Sequence, residues 1–204
     1  VHVVPGSKFA QKAFEAGVDA IVAEGFEAGG HNGADETTSL VLLSQLLSGG
    51  NDIPIIAAGG FATGRAMLAA LAMGADAVQI GSLFAASRES SAHPAFKEKI
   101  IQSGEGDTRL MLKKIVPVRL LKNHFSNQIA SLQDNGASKE DLSVLLGRGR
   151  AKKGMFLGDI NDGELEIGQV SSQINKIAGV EEIIHRLIDE FMEAKSVFIK
   201  RMEK

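Results

Sequence analysis

The chain has 204 residues, a formal net charge of −3, 44% hydrophobic residues and no cysteine. This is the balance of a folded globular protein, long enough to bury a core without metal or disulfide support. The missing thiols exclude thiolate nucleophiles, cysteine-ligated zinc and disulfide frameworks.

Lys and Arg are spread along the chain, so no nucleic-acid surface is expected, and the short basic run Arg148 to Lys153 reads as a solvated loop. No apolar run approaches the ~20 residues of a membrane span, and the first residues lack a signal-peptide layout. A cytoplasmic protein with no membrane contact is expected.

In chain order, residues 2–4 read as a strand, Pro5-Gly6 as a turn and Ser7 as the N-cap of a helix whose face carries Phe9, Ala10, Ala13 and Phe14. Residues 20–25 read as the second strand. Thr38 to Leu47 follows as a helix with Leu40, Leu43 and Leu47 on one face. Residues 53–58 form the third strand, Thr63 a cap, Arg65 to Met73 a helix, and residues 77–81 the fourth strand. Gly17-Val18-Asp19-Ala20-Ile21 and Gly74-Ala75-Asp76-Ala77-Val78 mark the same helix-to-strand junction 57 residues apart.

Each strand is nearly continuous in apolar residues, as in parallel strands covered on both faces. The strand–helix alternation admits a doubly wound sheet or a (β/α)8 barrel. The expected fold class is α/β, the C-terminal half (strands 5–8) of a TIM (β/α)8 barrel, with a helical excursion and a C-terminal helix. Four strands cannot close such a barrel, so about half of it is expected N-terminal to Val1.

The division expected is 1–92 for the barrel half, 93–154 for a helical insertion and 155–204 for a C-terminal segment with a long helix. Within the insertion, His93 to Ser103 and Val116 to Phe125 read as helices. The last helix presents Ile183, Ile184, Leu187, Ile188, Phe191 and Met192 as a packing face.

Chemistry is concentrated at the carboxyl ends of the strands. Gly59-Gly60 and Gly81-Ser82 follow consecutive strands, where backbone amides free of Cβ interference suit phosphate oxygens. The helix opening near Thr63 is expected to point its positive end at the same place. Glu24 to Gly33 holds four glycines around His31, a loop that can lie against a flat ligand while an imidazole projects over it. Histidine suits proton abstraction near neutral pH. His93, His124 and His185 have no such setting, and no histidine pair has metal-ligand spacing, so no metal is expected.

Taken together, Glu-Ala-Gly-Gly-His at 27–31, Ala-Ala-Gly-Gly at 57–60, Gln-Ile-Gly-Ser at 79–82, Ser-x-Ala-His-Pro at 90–94 and Pro-Val-Arg-x-x-Lys-Asn at 117–123 resemble the nitronate monooxygenases, formerly called 2-nitropropane dioxygenases. The resemblance runs on to Gly158-Asp159 and Gly168-Gln169.

It implies FMN as cofactor, contacted by Glu24, Gly29, Gly30, Gly59, Gly60, Gln79, Ile80, Gly81 and Ser82. It also implies oxidation of alkyl nitronates by O2 to a carbonyl compound and nitrite, with His31 as base. Glu24 stands where many relatives carry Gln, and Ser82 where Thr is common; both keep hydrogen-bonding capacity. The absent barrel half holds further flavin contacts in the family, so the 204-residue chain alone is expected to bind FMN weakly or not at all.

The flavin-dependent enoyl-acyl-carrier-protein reductases share the barrel and the His31 loop, which makes reduction of an enoyl thioester by NAD(P)H the alternative. An inactive or non-catalytic flavin- or phosphate-binding fragment is the third reading. The partner expected is a small-molecule substrate, and the open side of an incomplete barrel favours association into a homo-oligomer.

Overall fold

The computed structural model describes residues 1–50 and 53–203. Its central sheet has four parallel strands, β1 (His2–Val4), β2 (Ile21–Glu24), β4 (Ile55–Ala58) and β5 (Ala77–Gln79), in the order β1-β2-β4-β5. The four expected strands are therefore present. Residues 51 and 52 lie outside the described residues.

Three helices connect these strands: α1 (Ser7–Glu15), α2 (Ser39–Leu47) and α3 (Gly64–Met73). Each new strand adds on the same side of its predecessor, so the winding never reverses. Because parallel crossovers are almost always right-handed, this winding puts all three helices on one face, and α1 packs on α2, and α2 on α3. Under them, alternate strand residues Val4, Ile21, Ala23, Ile55 and Ala57 join Leu42, Leu43, Leu46 and Phe61 in one core. Val3, on the opposite face of β1, is 45% exposed.

Local expectations needed adjustment. Gly6, in extended backbone, precedes α1, and Ser7 is the first helical residue rather than the cap. Phe9 is exposed while Ala10 and Ala13 are buried, so the α1 contact stripe is narrower than its apolar residues suggest. Leu40 is also exposed, since α2 buries Leu42, Leu43 and Leu46 instead. Thr63 caps α3 as expected, accepting from the Ala66 amide at 3.2 Å.

The principal correction concerns residues 116–125. They form no helix. Val118–Leu121 is a strand (β7) at the centre of a second, antiparallel sheet, flanked by β6 (Thr108–Met111) and by β3 (Gly30–His31). All four β7 residues are buried, so β7 shows no polar alternation to identify it. The stretch 93–154 is thus not purely helical, and its sheet is stitched to the glycine-rich loop of the first 92 residues.

Around this sheet lie α4 (Ser82–Ala85), α5 (Pro94–Ile101), α6 (His124–Asp134) and α7 (Lys139–Leu146). His93 starts α5, its Nδ1 accepting from the Ala95 amide at 3.1 Å. Arg150, from the basic run expected to be solvated, is half-buried. Its guanidinium lies 4.4 Å from the centre of the Phe125 ring and donates to the carbonyls of Leu145, Leu146 and Asp162.

The last helix, α8 (Val180–Met202), packs along α3. It buries Ile183 and Leu187, whereas Ile184, Ile188 and Met192 are exposed. No helix among the described residues is long and apolar enough to cross a membrane.

Candidate functional site

Strand register assembles the site. Glu24 is aligned with Ala58, and Ala58 with Gln79, so the carboxyl ends of three neighbouring strands finish in one row. The chain that leaves each strand then turns over the same spot. A cavity of about 260 Å³ lies there, walled by Glu24, Gly29, Gly59, Gly60, Gln79, Gly81 and Ser82 from the anticipated set. Gly30 and Ile80 are not among its walls.

The glycines serve two different needs. Gly59 and Gly60 hold φ of 82° and 83°, the left-handed region that disfavours a side chain, and a Cβ on Gly59 would stand 2.6 Å from the Gly25 carbonyl oxygen. Gly81 has ordinary φ and nothing within 4 Å of its Cβ position. Gly81 is exposed and walls the cavity, so a side chain there meets open space rather than protein atoms.

The α3 N-terminus does not join this site as expected. Its first amide, Gly64 N–H, donates to Glu190 Oε2 of α8 at 2.8 Å.

The glycine-rich loop is fixed from three sides. The Glu27 carboxylate accepts from the Ser39 amide at 3.0 Å and from its hydroxyl at 2.9 Å, pinning the loop to the start of α2. Buried Arg119 donates to the Phe26 carbonyl through Nε at 3.1 Å and Nη2 at 2.7 Å, and lies 5.2 Å from the Phe26 ring centre. Burial depresses the Arg119 pKa, while Glu27 and Glu36 oppose the shift. The third contact is the segment 166–169. A Cβ on Gly29 would come 2.4 Å from the Ile167 carbonyl carbon, the Gln169 amide donates to Glu27 O at 2.9 Å, and the Gly168 amide donates to Ser82 Oγ at 3.0 Å. As acceptor in that bond, Ser82 keeps its hydroxyl hydrogen.

His31 stands apart from the glycine cavity. It is exposed and pairs with Val118 of β7. It lines a neighbouring chamber of about 240 Å³ together with Leu112, Ile115, Val116, Leu146 and Glu164. Glu166 belongs to the walls of both spaces. Its Oε2 lies 2.6 Å from the Cβ position of Gly30, so only glycine at the residue before His31 lets that carboxylate settle there.

Three carboxyl groups of this region are displaced upward. Burial raises Glu24. Burial raises Glu166, with a smaller opposing effect from His31. Burial, then the Glu166 charge, pushes Glu164 up to about 7, against the pull of Arg150. Shifts from desolvation and like charge in a cleft are a mark of functional sites.

Glu164, Glu166 and Met155, another wall of the glycine cavity, were not anticipated from the sequence. The available signal was the alternation Glu164-Leu165-Glu166-Ile167, in which Leu165 and Ile167 are buried: a strand-like segment presenting both acids to one side.

Fold and site together define an α/β protein with a cavity built from loops at the carboxyl ends of parallel strands. Comparison with known proteins makes the class specific. A sequence model of the nitronate monooxygenase family matches residues 3–190, and the chain belongs to that family.

A Bacillus subtilis protein named "Probable nitronate monooxygenase" is 43% identical over 102 residues, covering 47% of this chain and 29% of its own length. Among solved structures, FabK from Thermotoga maritima superposes with a TM-score of 0.90 at 37% identity, over 98% of this chain and 62% of that one. Nitroalkane oxidase from Streptomyces ansochromogenes superposes with a TM-score of 0.77 at 30% identity, over 96% and 58%. The FabK likeness carries the relationship to the enoyl reductases. The chain spans 29–51% of the first curated relatives it matches.

Proposed function

We propose that this chain forms the C-terminal half of an FMN-binding TIM barrel that oxidises alkyl nitronates, with His31 as the base. The observation that carries the proposal is the single cavity shared by Glu24, Gly59, Gly60, Gln79, Gly81 and Ser82, set in register at the ends of neighbouring parallel strands. The unreversed winding of the sheet supports a barrel over a doubly wound sheet, which reverses at its switch point.

The residues fit the phosphate end of FMN. Gly81 leaves open the space that a Cβ would fill, and Ser82 retains a hydroxyl hydrogen to donate. The cavity is smaller than the ~300–1,000 Å³ typical of whole ligand sites, so the remaining flavin contacts fall to the other half of the barrel.

When bound, the flavin supplies the redox chemistry, passing electrons from the nitronate to O2 to yield a carbonyl compound and nitrite. The chain's own residues do the rest. The amides of Gly59, Gly60 and Gly81 hold the phosphate, Glu24 and Gln79 offer polar atoms to the cofactor beside it, and His31 takes the proton alpha to the nitro group of a neutral nitroalkane, giving the nitronate, or assists oxidation of a nitronate that arrives already deprotonated. Nitronate-dependent O2 uptake by the complete, flavin-loaded protein without nicotinamide tests this.

A second reading is favoured by the tighter superposition on FabK than on nitroalkane oxidase. On that reading the same site reduces an enoyl thioester with NAD(P)H. Flavin reduction by NADPH followed by crotonyl-thioester turnover selects it, and neither activity with flavin retained selects a non-catalytic binding protein. For the 204-residue chain alone we propose weak or absent FMN binding. A visible flavin absorbance band in the purified chain overturns that.

A further inference from the structure

We infer that the chamber beside His31 is a binding site for a small organic cation, a primary ammonium, held by the carboxylates of Glu164 and Glu166. Capture of the cation is independent of the proposed activity, because it requires neither flavin chemistry nor turnover.

The backbone builds both acids into the wall. The Leu121 amide donates to the Leu165 carbonyl at 2.8 Å and Glu166 pairs with Leu120 in an antiparallel bridge, so residues 164–166 run beside β7. Leu165 and Ile167 enter the core formed with Phe96, Ile100 and Leu121. Alternation along an extended segment then turns Glu164 and Glu166 the other way, into the chamber they line.

Neither carboxyl group is satisfied there. Glu164 is 8% exposed, and among the described residues no hydrogen bond or ion pair reaches its carboxyl group or that of Glu166. The cation in the same wall is committed elsewhere. Arg150 donates to the carbonyls of Leu145, Leu146 and Asp162, and its guanidinium lies over the Phe125 ring, so it acts on Glu164 only from a distance. A buried carboxylate without a partner is costly. Burial and the Glu166 charge accordingly push Glu164 up to about 7.

Charge counting identifies the ligand. The ionisable groups lining the chamber are His31, Arg150, Glu164 and Glu166. With His31 neutral and both acids ionised, the lining is one positive charge short of neutrality. Below pH 7 a proton on Glu164 fills that place; a monovalent cation can take it instead, releasing the proton to the buffer. A primary ammonium carries its charge on three N–H donors, enough to reach both carboxylates. The other walls, among them Leu112, Ile115, Val118 and Leu146, are apolar, so the attraction is less screened than on an open surface. An anion would face two acids, and a neutral molecule would leave the exchange undone.

Calorimetric titration of the complete, flavin-loaded protein with butylammonium, 1-butanol and butyrate tests the site. Only butylammonium is expected to bind. Its affinity should rise about tenfold from pH 6 to pH 8, the factor for displacing a proton from a carboxyl group that titrates near 7, while the amine itself stays charged. Glu164→Gln removes that rise. Glu166→Gln lowers affinity at pH 8 by about tenfold, the loss of one charge-assisted hydrogen bond. His31→Gln keeps the rise, and Glu105→Gln, exposed and outside the chamber, changes nothing.

Equal binding of butanol or butyrate overturns the inference, as does a pH rise that survives in Glu164→Gln. The two proposals fail separately: no butylammonium binding in a protein that keeps flavin and turnover refutes the cation site alone, and binding without turnover refutes the catalytic reading alone.

Discussion

The two cavities that meet at Glu166 are built by different means. The glycine cavity is made by register: three parallel strands end in one row, and short turns carry Gly59, Gly60, Gly81 and Ser82 over it. The His31 chamber is made by distant segments, since β3 pairs with β7, β7 with β6, and residues 164–166 close the wall. A cleft of the first kind depends on local turn chemistry, and one of the second kind on long-range pairing. On the proposed function, the cofactor falls to the first.

Substitutions can break this division, and the largest effect is expected at His31. His31→Ala in the complete protein should lower turnover by about 10²–10⁴-fold, the usual contribution of a general base, while flavin absorbance stays. Loss of flavin together with turnover, or full activity, removes His31 from the proposed role.

Next in size is a pair of glycine replacements. Gly29→Val forces a side chain onto the Ile167 backbone and should cost on the order of 1–3 kcal/mol, read as a drop in melting temperature. Gly81→Leu meets no protein atom near its Cβ and should hold stability within about 0.5 kcal/mol while abolishing flavin binding. Equal thermal effects from the two would refute the view that Gly81 is open for a ligand and Gly29 for the fold.

Glu164 makes a pH prediction. Its folded pKa of about 7 exceeds its ordinary value, so the folded state holds the proton more tightly than the unfolded chain does. The stabilisation is whole below about 4.5, the ordinary glutamate range, and is lost as pH rises through 7. Urea unfolding should show stability falling by ~1–3 kcal/mol between pH 5 and 8, a slope that Glu164→Gln flattens. An unchanged slope would show that Glu164 ionises without cost.

The smallest effect is expected at Glu190→Gln, where the bond to the Gly64 amide loses its charge. A loss of about 0.5–1.5 kcal/mol should appear in melting temperature with no change in flavin content.

Much of the first cavity was readable from the chain. Apolar runs ending in Gly-Gly and Gly-Ser give both the strands and the openness of their turns, and the matched junctions at Gly17 and Gly74 give the repeat. The second cavity was not. Val118 to Leu121 is buried along its whole length, so its pattern is compatible with helix or strand, and Pro117 suggested a helix start that the pairing with β6 and β3 overrides. The place of Glu166 was equally hidden, because a carboxylate between two cavities is decided by the contact with Gly30, 136 positions earlier in the chain. Arg119 and Arg150 show the same limit: each looks like a surface charge in sequence, and each instead holds carbonyl groups inside the protein.

The bond from Gly64 to Glu190 joins groups 126 positions apart. Gly64 follows the Gly59-Gly60 turn by only a few residues, so a ribosome must deliver nearly all of the sequence before that helix start acquires its acceptor. Anchoring of the helix that follows the glycine turn is in this sense a late event of synthesis, and nascent chains halted before residue 190 should present the turn without its final anchor.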